Sequence, residues 1–256
     1  MISDAANIFF LSLFLGHIVG DFFLQPDRWV KEKLDNKIKS KYLVLHSFVH
    51  GVISGLIFSA LLWGYTTSPV INFFFVFGFV SVSHWCIDVI KTYLNRRYIW
   101  FVLDQVSHVL ILAILTYGMV YEREIDNIFN WLKTIDYSIV LPILISYMLM
   151  LKPTAVLVGE VLNKWTMQVN GSANKGLKDA GKYIGYIERI LILTFVLTSQ
   201  YAAIGFVLAA KSIFRMGDLR DEHDRQFTEY VMVGTLFSVS ISLFCGLFIV
   251  YALGLK

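Results

Sequence analysis

Seven stretches of this chain, at about 5–24, 43–64, 70–91, 99–121, 138–158, 187–210 and 229–253, stay apolar for close to the ~20 residues that an α-helix needs to cross a bilayer. Unpaired peptide groups are too costly in hydrocarbon for anything but helices and closed barrels, and these runs have helix length. The chain is therefore expected to be an all-α, polytopic integral membrane protein with six to seven transmembrane helices. With 57% of its residues apolar and only 16% charged, it has too little polar surface for a soluble enzyme, a disordered tail or a secreted disulfide scaffold. Cys86 and Cys245 both fall inside apolar runs, where a thiol packs as a small apolar group. The start, Met1 to Asn7, carries Asp4 and no positive charge, so the first helix is expected to remain rather than be cleaved.

Proline breaks the pattern in one place. Pro142 sits inside the fifth run and Pro153 beside Lys152, which predicts a broken fifth span. The pattern divides the chain into a four-helix membrane bundle, 1–121, and a C-terminal membrane region with three helical segments, 122–256. Gly181 and Gly185 form a small-xxx-small pair ahead of the sixth run, a spacing that permits close helix contact.

Loop charges predict an orientation. Arg28, Lys31, Lys33, Lys37, Lys39 and Lys41 follow the first run, whereas the loop 64–68 has no lysine or arginine. Lys91, Arg96 and Arg97 follow the third run, and acidic residues (Glu122, Glu124, Asp126, Asp136) follow the fourth. Positive loops stay in the cytoplasm, so the amino terminus is expected outside a bacterial inner membrane. The rule conflicts with itself further on, because both 159–186 and 211–228 are basic although one crossing would separate them. Either the run Ile190 to Ala210 is a re-entrant hairpin, or the acidic residues of Asp218 to Asp224 mark an exterior loop.

Five of the six histidines lie in the first four runs, and each of those runs presents a pair four residues apart: His17 with Asp21, His46 with His50, His84 with Asp88, and Asp104 with His108. Residues at this spacing stack on one helical face, as in the H-E-x-x-H helix that grips zinc. All four pairs fall at the predicted cytoplasmic ends, so they should meet in one layer. One such pair commonly serves as an interhelical hydrogen bond. Four pairs at matched depth, with three aspartates that are costly to bury, point instead to bound cations. Eight ligands exceed the needs of one ion, which suggests two divalent metals, zinc ahead of manganese or iron. Asp21, Asp88 and Asp104 are the candidate bridging carboxylates.

Gln25 and Gln105 are placed to orient a ligand or a water from behind. Lys91 shares a face with His84 and Asp88 and would meet an anionic substrate, with Arg96 and Arg97 extending the patch. Asp88, Asp104 and Lys91 are the candidate catalytic residues. Ser47, Ser83 and Ser107 each neighbour a ligand in sequence and so point away from it, which disfavours a serine triad. His223 lies in a charge-rich run, Asp218 to Arg225, and reads as surface.

The strings GHIVGDFFLQ at 16–25, LHSFVHG at 45–51, HWCIDVIK at 84–91 and LDQVSHVL at 103–110 resemble the bacterial membrane family known as domain of unknown function 3307. The carboxyl half, with AGKYIGYIERILIL at 180–193, resembles its longer members. That resemblance implies no activity. The H-x-x-x-D spacing, present at His17/Asp21 and His84/Asp88, is similar to the ligand pattern of zinc-dependent phospholipases C and single-strand nucleases, and of YdjM-like membrane metal-dependent hydrolases. Those soluble enzymes split phosphodiesters with a multi-zinc cluster, but their processed amino-terminal tryptophan ligand is missing here, so the likeness carries over neither a third metal nor their substrate.

The expected function is a membrane-embedded dinuclear hydrolase of a phosphoester or phosphodiester at the cytoplasmic interface. A divalent metal transporter or sensor and a di-iron membrane oxidoreductase are the alternatives. The expected partners are the lipid bilayer and an anionic small-molecule or lipid substrate, without direct nucleic-acid binding and with self-association left open.

Overall fold

A computed structural model describes residues 4–94, 97–120, 136–169, 180–216 and 222–255. The described residues form ten α-helices and no strand: α1 (Asp4–Ile18), α2 (Asp27–Asn36), α3 (Lys41–Leu62), α4 (Pro69–Tyr93), α5 (Tyr98–Val120), α6 (Tyr137–Met150), α7 (Lys152–Val169), α8 (Ala180–Leu197), α9 (Tyr201–Met216) and α10 (Glu222–Leu253). Among the described residues, five helical stretches are long and apolar enough to cross a membrane, and a sixth if the bent pair α6 and α7 is one span. The outward faces carry large apolar side chains such as Leu56, Ile71, Phe74, Val82, Ile114 and Phe248, all more than half exposed. Such a surface is consistent with helices solvated by lipid rather than water. The residues form two compact units, Met1–Pro142 and Ile143–Lys256.

In the first unit, α1 and α4 each pack against α3 and α5, closing a four-helix ring. Each helix contributes one inward row of residues four apart. The row on α1 runs Ala5, Phe9, Leu13, His17; on α3 it runs His46, His50, Ser54, Phe58, Leu62; on α4 Val76, Val80, His84, Asp88, Thr92; and on α5 Asp104, His108, Leu112, Thr116, Val120. Every row changes from apolar to ligand-type residues at the same end of the ring. Phe9, Leu13, Phe58, Leu62, Val76, Val80, Leu112 and Leu115 fill the other half as a continuous apolar core. Glycine lets α3 approach α4: a Cβ at Gly55 would come within 2.8 Å of the Phe73 ring, and one at Gly51 would overlap Ser81 and the Phe77 carbonyl.

The short helix α2 packs on α3 and α4. Trp29 stacks on Tyr42 with ring centroids 5.3 Å apart, and Ser40, which caps α3 by accepting from the Leu43 N–H, donates its hydroxyl to Glu32.

The second unit bears out the broken fifth span and corrects the sixth. α6 retains Pro142 and bends by 40° into α7 at Leu151, just before Pro153. Pro153 has no N–H to offer the Leu149 carbonyl, and the Thr154 hydroxyl donates to it instead at 2.6 Å. Arg189 of α8, buried, donates to the carbonyls of Met150 at 2.6 Å and Leu151 at 3.4 Å. Backbone opened by the kink between α6 and α7 is thus satisfied by a side chain. The single helix expected over 187–210 is two helices, α8 and α9, which contact each other across a turn at Thr198–Gln200. Ser199 takes a left-handed φ of 58°, and Lys211 pairs with Glu188 at 2.6 Å. α8 and α9 thus form a helical hairpin. Among the described residues, Gly181 has open space around it and Gly185 meets only Arg189 of its own helix, so neither brings another helix close. The close approaches fall at Gly234, against Leu162, and Gly246, against Val196. Glu122, Glu124, Asp126, Asp218 and Asp221 lie outside the described residues, as do the side chains of Glu222, His223 and Asp224.

Candidate metal centre

The ring brings all eight expected ligands together. Seven are buried outright, and Asp21 keeps 9% of its side chain exposed. The backbone that carries Asp21 is not regular helix: after Ile18 the chain turns into a π-helix, Val19–Phe23, closed by a Leu24 N–H to Val19 carbonyl bond of 2.9 Å. Single π-turns inside helices recur at functional sites because they re-aim one side chain. Here the turn aims the Asp21 carboxylate at the middle of the ring. Its Oδ1 lies 3.1 Å from His46 Nε2, 3.1 Å from His50 Nε2 and 3.4 Å from His84 Nε2, and its Oδ2 lies 3.6 Å from His17 Nε2. The ion pairs that Asp21 makes are all to imidazoles.

The remaining carboxylates have different surroundings. Asp88 Oδ2 accepts a hydrogen bond from Lys33 Nζ at 2.6 Å, with His46, His84 and His108 at 3.8 to 3.9 Å from its oxygens. Asp104 Oδ2 accepts from Lys91 Nζ, and its Oδ1 lies 3.6 Å from His108 Nε2. Gln105 fastens the layer from behind, donating to Asp21 Oδ2 and to Asp104 Oδ2 at 3.0 Å each, with its carbonyl 3.4 Å from His17 Nε2. The imidazoles stack closely, with centroids 3.8 Å apart for His50 and His84 and 4.1 Å for His84 and His108.

Nitrogen and oxygen donors thus collect in overlapping groups: His17, Asp21, His50 and His84; His46, His84 and Asp88; and Asp21, Asp104 and His108, each with its ligand atoms within 4.8 Å of one another. The Nε2 atoms of His50, His84 and His108 and the Oδ1 of Asp104 are buried and make no well-aligned hydrogen bond, although His50 and His84 Nε2 lie 3.1 and 3.4 Å from Asp21 Oδ1. Burying an unsatisfied polar atom costs about 1–3 kcal/mol, so four in one layer are hard to retain unless something else meets them. Imidazole and carboxylate donors fit zinc, manganese or iron. A cavity of about 10 Å³, the size of one water, lies against His17, His50, His84 and His108 on the apolar side of the layer.

The residues around the cluster divide. Lys91 pairs with Asp104 while 37% of its side chain remains exposed. Gln25 makes no hydrogen bond to the cluster: the helix ends at Phe23, so the row of fours does not extend to it, and its amide nitrogen is buried without a partner. Arg97 is exposed at the head of α5, and Arg96 lies outside the described residues. Ser47, Ser83 and Ser107 each donate to a carbonyl four residues back in their own helix, at 2.9, 2.7 and 2.8 Å, and none takes part in a triad. Sequence reasoning missed Lys33. It reads as one of six loop cations, and only its burial on the side of α2 that packs on α3 and α4 tells it apart.

A family model described as "Protein of unknown function (DUF3307)" matches residues 9–136, a stretch that holds every residue of the cluster and Lys33. No curated protein and no solved structure matches the chain. The likeness to YdjM-like hydrolases therefore rests on ligand spacing alone.

Proposed function

The chain belongs to this family of unknown function, and we propose that it is a multi-pass membrane protein whose first unit binds divalent metal and hydrolyses a phosphoester or phosphodiester at the cytoplasmic interface. The observation that carries the metal reading is the set of buried Nε2 atoms without a well-aligned hydrogen bond, aimed at shared carboxylates. His17, Asp21, His46, His50, His84, Asp88, Asp104 and His108 would hold the ions. A bound divalent ion acidifies water and draws charge from phosphoryl oxygens. In the reaction, water oxygen adds to phosphorus, the ester P–O bond breaks, and the departing alcohol takes up a proton of the water.

The chain supplies position and charge. Gln105 holds Asp21, Asp104 and His17 in register, so the donors need little rearrangement. Lys91 links the cluster to the surface and is the group an arriving phosphate would meet first. The apolar packing of the other half of the ring supports catalysis over transport, since a transporter needs access from both faces. The loop charges support an external amino terminus and a cytoplasmic metal layer.

The test is to assay phosphatase, phosphodiesterase and lipid hydrolase activity in detergent with added zinc or manganese, beside metal uptake into liposomes. Lys91→Ala should keep its metal and lose turnover, and Asp88→Ala should lose turnover and part of its metal. Metal uptake abolished by Asp88→Ala, with no hydrolysis of any phosphoester, would replace the hydrolase with a transporter.

A further inference from the structure

Three buried aspartates call for balancing cations, and the chain brings two of its own. Lys33 Nζ sits on Asp88 Oδ2 at 2.6 Å, buried with it, and Lys91 Nζ sits on Asp104 Oδ2. Asp21 is the remaining carboxylate, and around it stand four imidazole nitrogens and the Gln105 amide. His17, Asp21, His50 and His84 alone make a four-donor group whose carboxylate is free of ammonium, and four donors complete a zinc-type shell. The group that contains Asp88 offers three donors, shares His84 with the first, and has its carboxylate oxygen covered by Lys33.

We infer that the cluster is a one-ion site centred on Asp21, and that Lys33 is a tethered cation holding the place a second ion would take at Asp88. The inference rests on the metal reading above and fixes its stoichiometry. A divalent ion and an ammonium cannot share Asp88 Oδ2 without strong repulsion, so a second ion enters only when Lys33 leaves. The mounting of Lys33 suits such an exchange. It rides on the short helix α2, which joins α3 through a single 3-10 turn, Lys37–Lys39, whose first residue has a left-handed φ of 52°. The helix is held down by side chains: Glu32 to Ser40, Trp29 on Tyr42, and Lys37 over the Tyr93 ring at 4.9 Å. Metal occupancy at Asp88 is thereby coupled to whether α2 covers the layer.

The experiment is a metal titration of the full chain in detergent after chelator stripping, read by elemental analysis and, for manganese, by electron paramagnetic resonance. The parent should take up one ion per chain at low metal, with the six-line signal of an isolated manganese. A second ion should require at least tenfold more. Lys33→Met should bind two ions with the second tightened tenfold or more and a spin-coupled signal, while Lys33→Arg should behave as the parent. Two ions of equal affinity in the parent overturn the inference and leave the metal reading intact. Lys33→Met binding no more than the parent also overturns it, and no uptake at all defeats the metal reading itself. Should Lys33→Met fail to fold, the one-against-two stoichiometry of the parent decides.

Discussion

The α-carbon of Gly20 lies against the imidazole of His50: a Cβ built there would stand 2.6 Å from His50 Nε2 and closer still to Cε1. The ring cannot retreat, because its other face stacks on His84 at 3.8 Å. Gly20→Ala should therefore push His50 out of the layer despite the better helix propensity of alanine. Overpacking of this kind costs about 1–3 kcal/mol. The variant should unfold at a lower temperature in detergent and retain less metal than the parent; an unchanged melting temperature and metal content would remove the close contact from the account.

Asp21→Asn should be the most damaging single change to metal retention. It removes the carboxylate that four imidazoles share. Loss of a supporting residue costs about 10–100-fold in metal affinity, and loss of this ligand should reach at least that range. Ser107→Ala, whose hydroxyl bonds only the Leu103 carbonyl, is the matched control and should bind as the parent does. Competition with a chromophoric chelator measures both.

The ligand pairs were legible because a helix repeats its face every four residues and buried polar residues stand out in apolar runs. The π-turn at Val19–Phe23 was not, since His17 and Asp21 keep the spacing of an ordinary helix while the backbone between them changes. Lys33 was hidden among loop cations, because a short amphipathic helix and a charged loop share a composition. The turn at Ser199 escaped for the opposite reason: a residue other than glycine adopts the left-handed backbone, so neither glycine nor proline marks the break. What did mark it was the clash of two basic segments on either side of one supposed crossing.

Topology gives a third expectation. In a background with Cys86 and Cys245 changed to alanine, a cysteine at Ser68 should be labelled from the periplasm and one at Asn36 should not. Because α8 and α9 form a hairpin, cysteines at the exposed positions Lys182 and Ile213 should label from one and the same side. Labelling of the last two from opposite sides would restore a single crossing.

Arg189 should act on stability without touching the metal. Arg189→Met withdraws the donors from the Met150 and Leu151 carbonyls and from the Ser238 hydroxyl. A buried acceptor left without its partner costs about 1–3 kcal/mol. Thermal unfolding should shift down while the metal content per folded chain stays at the parental value; a parental melting temperature would mean that the kink is satisfied in another way.

The apolar half of the first ring has an electrical consequence. In the membrane setting proposed above, Phe9, Leu13, Phe58, Val80 and Leu112 would separate the ligand layer from the far surface, so a cation that entered the layer would stop near the side it came from. Carrying one unit charge all the way across 100 mV involves about 2.3 kcal/mol, and an ion that halts at this layer traverses only a small part of that field. Loading of the cluster should follow the free-ion concentration of one compartment and ignore the membrane voltage, so that energised and uncoupled vesicles fill it alike.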